Sequence, residues 1–212
     1  MLIHLDEVGA SPATDAAGHR VVHFGIYLPG ITFDKGYRVQ VRVTQPYVIA
    51  LYTCKGIPML WHGQEFAENW SIPSWGIGRV LFSRPLHWEY FYVPMGKALV
   101  RLYRIMGTLR TQYRALRSRG AFFYYNDPFH QRDGIIAYRR TAAAEGAAPA
   151  EDVIVILNFS DQDVEVWIPW PTAGSWHELI DASETASISV PQANERQPVQ
   201  VASNYGAVYR GP

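Results

Sequence analysis

Past Gly120 the chain becomes a succession of short β-branched or aromatic runs separated by turn residues, and this rhythm limits the fold more than any other feature. The runs fall at 121–125, 134–140, 153–159, 164–168, 175–180, 187–190, 199–202 and 207–210. Strands this short and closely spaced predict an antiparallel β-sandwich. An alanine-rich stretch at 142–151 reads as a long exposed hairpin loop between two of them. Within 164–168, Trp167 alternates with Val166 and Ile168 and therefore points to the opposite sheet face.

The preceding 120 residues follow a different pattern. Leu99, Leu102, Tyr103, Met106, Leu109, Tyr113 and Leu116 recur at spacings that put one apolar stripe on a helix. Five arginines share that helix (Arg101, Arg104, Arg110, Arg114 and Arg117), the last of them near the C-terminus, where cations suit the macrodipole. Upstream, Thr44 is a fitting N-cap with Pro46 in the first turn, and Tyr47, Val48, Leu51 and Tyr52 give a short helix that runs to Gly56. The compact apolar run 57–61 (Ile-Pro-Met-Leu-Trp) predicts a buried strand that ends in the polar turn His62, Gly63, Gln64, Glu65. Residues 66–96 hold Trp70, Trp75 and Trp88 without helical or strand period and read as a long aromatic loop. Residues 1–43 are broken by Gly9, Pro12, Gly18, Pro29, Gly30 and Gly36, with one possible short strand at 20–27. An irregular opening of that length is unusual in a complete domain and looks like the loop side of something larger.

Charge removes whole classes of function. Nineteen Lys and Arg balance nineteen Asp and Glu, so neither a nucleic acid nor an anionic membrane surface is an expected partner. The longest apolar stretches, such as 46–53, are far shorter than the ~20 residues that cross a bilayer. His4, Asp6 and Glu7 interrupt the opening before any apolar leader develops, so a cytoplasmic location is expected. Cys54 is the lone cysteine, which excludes an internal disulfide, and no Cys/His spacing fits zinc. No ligand cluster supports calcium either, so the expectation is no metal and no cofactor.

Nucleophile motifs are missing as well. The sequence has no Gly-x-Ser-x-Gly elbow, Walker loop or Gly-x-Gly-x-x-Gly turn, and Cys54 lies in a predicted helix with no histidine near it in sequence. Two polar clusters remain at predicted strand ends: His4, Asp6 and Glu7 after Leu2-Ile3, and His62, Gln64 and Glu65 after 57–61. Carboxylates at strand C-termini are where a βα-barrel keeps its chemistry, and a glycosidase needs two of them flanking the scissile bond. Glu65 has an equally simple structural role as a loop carboxylate bonded to nearby backbone N–H groups. Asp6, close to the first residue, is as readily a solvent-exposed side chain.

The segment Gly56-Ile57-Pro58-Met59-Leu60-Trp61-His62-Gly63-Gln64-Glu65-Phe66 resembles the eighth barrel strand and following loop of the alpha-amylase superfamily. Within glycoside hydrolase family thirteen it is most similar to the branching-enzyme and maltooligosyltrehalose trehalohydrolase-like groups. Arg84-Pro85-Leu86-His87-Trp88 resembles that family's RPxxW segment, the helical stretch 103–117 its last barrel helix, and Val155-Ile156-Leu157-Asn158-Phe159-Ser160 a strand of its C-terminal β-domain. In order, these matches cover about residues 44–212.

The resemblance implies an α+β chain, with the last βα units of a (β/α)8 barrel in residues 1–120 and an antiparallel β-sandwich C-terminal domain in residues 121–212. It implies that Asp6 stabilises the transition state, although Leu5 separates His4 from Asp6 where the family pairs them directly. His4, Gln64 and Glu65 would line sugar subsites, and Trp61 and Trp88 would either stack on sugar or pack. The family's nucleophile Asp and acid/base Glu lie on the fourth and fifth strands, before the point in the barrel where this sequence begins. A whole barrel takes about 250 residues. The implied chain is therefore a C-terminal portion of an enzyme acting on α-1,4-glucan or maltooligosaccharide, inactive without the N-terminal barrel portion.

Two other readings stand beside it. In one, the β-domain is a glucan-binding module with exposed Trp167, Trp170 and Trp176, Trp167 being the leading stacking residue unless it packs under a neighbouring domain. In the other, the β-domain shields a barrel end whose missing strands come from a partner chain.

Overall fold

Val153, Ile154, Val155, Ile156 and Leu157 form a continuous apolar run, and such a run suits a strand covered on both faces better than one with a wet side. In the computed structural model all five are at most 1% exposed. The structure describes residues 33–68, 85–120, 122–181 and 187–212, with side chains from Val41 onward. They divide into two compact units. One holds the described residues of 1–44 and 60–100, the other Gln45–Met59 with Arg101–Pro212.

The second unit is built around β3. Its strands are β1 (Phe122–Tyr124), β2 (Ile135–Ala142), β3 (Glu151–Asn158), β4 (Val164–Pro169), β5 (Gly174–Glu178), β6 (Ile188–Val190), β7 (Arg196–Val201) and β8 (Tyr205–Arg210). Six of them form one sheet in the order β1-β2-β3-β8-β5-β6, and β4 and β7 form a second. Every pairing is antiparallel, with Tyr138 opposite Val155, Ile156 opposite Ala207 and Trp167 opposite Pro198. This is the sandwich expected for the C-terminal part, and each of the eight predicted runs overlaps a strand. The β2–β3 hairpin also carries the predicted exposed loop, closed by a bridge between Glu145 and Ala148.

Alternation decides what each face meets. Ala137, Ile154, Ile156, Ala207 and Tyr209 pack against Val166, Ile168, Val199 and Val201 of the small sheet, with Trp170, Trp176 and Val190 closing the core. Each such fully buried aliphatic side chain contributes about 1.5–3 kcal/mol. The other face of β3 is covered by helix. There Gly206 has no room for a side chain: a Cβ would lie 2.9 Å from the Ile156 carbonyl oxygen and 3.1 Å from Ile49 Cδ1.

The long helices are α1 (Phe33–Thr53) and α3 (Pro94–Gln112), with short helices α2 (Trp88–Tyr92), α4 (Arg114–Arg117) and α5 (Pro128–Arg132). The helix predicted around 99–116 is α3 and α4, interrupted at Tyr113, whose backbone is extended at φ −96°, ψ 121°. Two arginines close the C-terminus of α1, where the last carbonyls have no partner within the helix. Arg110 donates to the carbonyls of Tyr52, Cys54 and Gly56. Arg140, 1% exposed, donates to the Thr53 carbonyl and, at 2.8 Å, to that of Ser118 just past α4. Burial pushes both guanidinium pKa values down.

Several local expectations need correction. Thr44 is not an N-cap, because α1 begins at Phe33, and its hydroxyl instead bonds back to the Val41 carbonyl at 3.0 Å in the mid-helix manner. Pro46 lies inside the helix, where its ring nitrogen cannot donate to the carbonyl four residues back. The run 57–61 is neither a strand nor buried: Ile57 is 96%, Met59 79%, Leu60 43% and Trp61 61% exposed. A buried strand needs bonded neighbours on both edges, and no strand among the described residues pairs with this one. Part of the supposed aromatic loop is helical, as α2 and the start of α3 at Pro94, while 69–84 lie outside the described residues. The possible strand at 20–27 lies outside them too.

Candidate functional site

The polar turn after residue 61 is a 3-10 turn, Gln64–Phe66, entered through Gly63 at φ 81° and left through Ala67 at φ 58°. Both ends sit in the left-handed region, which costs a non-glycine residue energy and is found where neighbouring structure enforces it. At Gly63 a Cβ would stand 2.6 Å from Glu68 Cβ, so glycine is required by contact as well as by backbone. The Trp61 N–H donates to Gln64 Oε1 at 3.1 Å, and the Trp61 ring stacks on His62 at 5.1 Å. Glu65 is half-buried in the turn.

Phe66 anchors this turn. It is fully buried, meets Trp88 at 5.7 Å between ring centroids and meets Phe91 edge-on at 6.1 Å. Trp88 nevertheless remains 57% exposed. Glu68 ties the turn to the segment before α2: one carboxylate oxygen accepts the His87 backbone N–H at 2.6 Å and the other meets His87 Nδ1 at 2.6 Å. Nothing in the spacing of the sequence singles out Glu68. Of the site residues expected from sequence, Trp61 and Gln64 are thus joined directly, and Trp88 reaches the same turn through Phe66. His4 and Asp6 lie outside the described residues.

A second candidate lies within the β-domain, at the edge of β4 that faces α5 and the start of β2. An open cleft of about 410 Å³ is lined by residues that include Asp127, Phe129, His130, Glu165, Trp167 and Arg196. Trp167 is 47% exposed, and its indole N–H donates to Glu165 Oε1 at 2.8 Å. The other Glu165 oxygen accepts from Gln200 Nε2 at 3.1 Å, across the strand pair that sets these residues opposite each other. Arg196 Nη2 donates to Asp127 Oδ2 at 2.8 Å and to the Trp167 carbonyl at 3.1 Å.

Asp127 is also the N-cap of α5, accepting the Phe129 N–H at 2.9 Å. That backbone bond first, and Arg196 second, hold its carboxyl below the usual range. An Asp-Pro pair is a helix-start signal, yet five residues are too few to show periodicity, so α5 was not legible in the pattern. His130 on this helix is 7% exposed, and its Nδ1 is buried without a hydrogen-bond partner.

Trp170 and Trp176 are not exposed platforms, contrary to the binding-module reading. Both are fully buried and meet edge-on at 5.0 Å, with Trp170 also 5.3 Å from Tyr209. Their indole N–H groups are satisfied internally by the carbonyls of Gln197 and Thr172. Among the described residues no group of three or more His, Cys, Asp and Glu could hold a metal ion, and no helix is long and apolar enough to cross a membrane.

Residues 125–210 match the family described as alpha amylase, C-terminal all-beta domain. The β-domain is thus similar to the alpha-amylase C-terminal type. Solved structures of glucan-processing enzymes share its fold. The alpha-amylase from Geobacillus thermoleovorans, complexed with acarbose, superposes with a TM-score of 0.53 at 17% identity, over 81% of this chain and 32% of that one. The gamma-CGTase from alkalophilic Bacillus clarkii gives 0.57 at 14% identity, over 87% and 24%, and the debranching enzyme from Nostoc punctiforme 0.50 at 13%, over 81% and 31%. The chain thus spans about a third or less of each of these structures. No curated protein matches it in sequence.

Proposed function

We propose that this chain is the C-terminal portion of a family-thirteen glycoside hydrolase or glucanotransferase that acts on α-1,4-glucan or maltooligosaccharide in the cytoplasm, with residues 1–120 derived from the end of the catalytic barrel and 121–212 forming the β-domain. Its closest functional kin would be the branching and trehalose-releasing groups. The observation that carries the reading is the run 57–61: an apolar strand sequence left 43–96% exposed at Ile57, Met59, Leu60 and Trp61. A barrel would pair and cover such a segment, and would bring the following turn of Gln64 and Glu65 to its catalytic end. The fold likeness supports it too, because it covers 81–87% of the chain, more than the 125–210 match alone.

In this reading Gln64 and Glu65 hydrogen-bond sugar hydroxyls, Trp61 and Trp88 stack on glucose rings, and His4 and Asp6 contribute to the same subsites. Asp6 stabilises positive charge that develops at the anomeric carbon. It cannot replace the attacking carboxylate or the proton donor of the retaining mechanism, so the chain alone is inactive. The purified 212-residue chain should release no reducing sugar from amylose, and should form no branches on it, above a buffer control; turnover by this chain would overturn the proposal.

The same exposed run favours a second reading, in which a separate chain supplies the missing strands. A mass measurement on the native assembly distinguishes the two, because only the second predicts a complex with a different polypeptide.

A further inference from the structure

We infer that the cleft beside Trp167 is a carbohydrate-binding site, separate from the turn at Gln64–Phe66, that holds a short stretch of α-glucan along the edge of β4 next to α5; the choice of glucan rests on the function proposed above.

Three observations converge on it. Trp167 is the large ring on the wet face of a two-stranded sheet whose other face is core, and it is 47% exposed at the wall of the cleft. Its indole N–H is already committed to Glu165 at 2.8 Å, so what it offers a ligand is a flat surface held in one orientation. A ring fixed in advance loses little side-chain entropy on binding. Around it stand planar polar groups that are themselves braced: Glu165 by Gln200, and Arg196 by Asp127 and the Trp167 carbonyl.

Charge narrows the ligand. Asp127, Asp133 and Glu165 line the cleft against Arg196, which disfavours a phosphate or carboxylate ligand. A cation finds these carboxylates already engaged, because Arg196 and the Phe129 N–H occupy Asp127, Arg132 occupies Asp133, and Trp167 and Gln200 occupy Glu165. What fits is a neutral molecule with one apolar face and many hydroxyls. A pyranose has that character, with C–H groups for the indole and hydroxyl pairs for the side chains at the rim. The volume of about 410 Å³ lies in the ~300–1,000 Å³ range of small-ligand sites.

The test is calorimetric titration of the full chain and of Trp167→Ala with maltoheptaose and, separately, cellohexaose, with circular dichroism to check the fold of the variant. The expected result is saturable binding of maltoheptaose that weakens at least tenfold in Trp167→Ala, partial recovery in Trp167→Phe, and no binding of cellohexaose. Equal maltoheptaose affinity in wild type and a folded Trp167→Ala, or no saturable binding of either sugar, overturns this site and leaves the enzyme reading to its own assay. Trp167-dependent binding of cellohexaose alone overturns the assignment to α-glucan, and counts against the proposed function as well.

Discussion

The β-domain places three tryptophans within ten residues of sequence in two opposite environments, so replacing them one at a time measures the fold directly. Trp170 is fully buried, edge-on to Trp176 at 5.0 Å and to Tyr209 at 5.3 Å. Trp170→Ala deletes a whole indole from a packed core, a change that costs about 3–5 kcal/mol. The loss of two edge-to-face pairs puts it toward the top of that range. A domain of this size has only about 5–15 kcal/mol to lose. With a urea dependence near ~2 kcal/mol/M, the midpoint should fall by about 1.5–2.5 M. Trp167, 47% exposed on the wet sheet face, leaves no core cavity when truncated. Its replacement by Ala should shift stability by about 1 kcal/mol or less. Urea unfolding followed by far-ultraviolet circular dichroism reads both. A Trp170→Ala cost below about 1 kcal/mol, or a larger loss in Trp167→Ala than in Trp170→Ala, would refute the packing described for the two sheets.

Other expectations follow from the same architecture. Arg140→Met strips the Thr53 and Ser118 carbonyls of their donor at the ends of two helices; each unsatisfied buried acceptor costs about 1–3 kcal/mol, so at a urea dependence near ~2 kcal/mol/M the midpoint should fall by about 1–3 M, and an unchanged midpoint would contradict the capping role. Burial raises the Tyr205 and Tyr209 phenols from 10.0 to about 12. The unfolded chain then ionises first, so their contribution is intact below pH 10 and is lost as pH rises through about 12. Absorbance at the phenolate band, recorded beside circular dichroism, should show late-ionising tyrosines whose titration coincides with unfolding, and Tyr209→Phe should soften that loss; ionisation of every tyrosine near pH 10 in a still-folded chain would contradict it.

How much of this was legible depended on whether the relevant interaction was local. The strands could be read because alternation and turn residues are local, and β3 because covering on both faces leaves a continuous apolar run. Trp167 faces outward as the alternation of β4 required. Trp170 lies just past Pro169, where the strand ends and its two-residue phase no longer applies, so only the packed sheets reveal that it turns inward. The run 57–61 has the composition of a buried strand, but a strand is made by its neighbours, and here none pairs with it among the described residues. Glu68 and His87 are nineteen residues apart and bonded twice, a contact no periodicity announces. Thr44 looked like a helix start because capping residues are recognised by type, whereas the hydroxyl is used in mid-helix. The turn at Gln64–Phe66 owes its sugar-binding reading to resemblance; the Trp167 cleft needed the structure, since the α5 segment, β4 and β7 bring Asp127, Trp167 and Arg196 together.

The proposed function requires these 212 residues to be the last part of a catalytic barrel whose earlier strands lie upstream in the same polypeptide. Sequencing the DNA immediately upstream of codon 1 tests it most directly. The expected result is an open frame that continues upstream, encodes strands ending in an Asp and a Glu, and restores amylose turnover when expressed with this chain. An in-frame stop codon just upstream would contradict it.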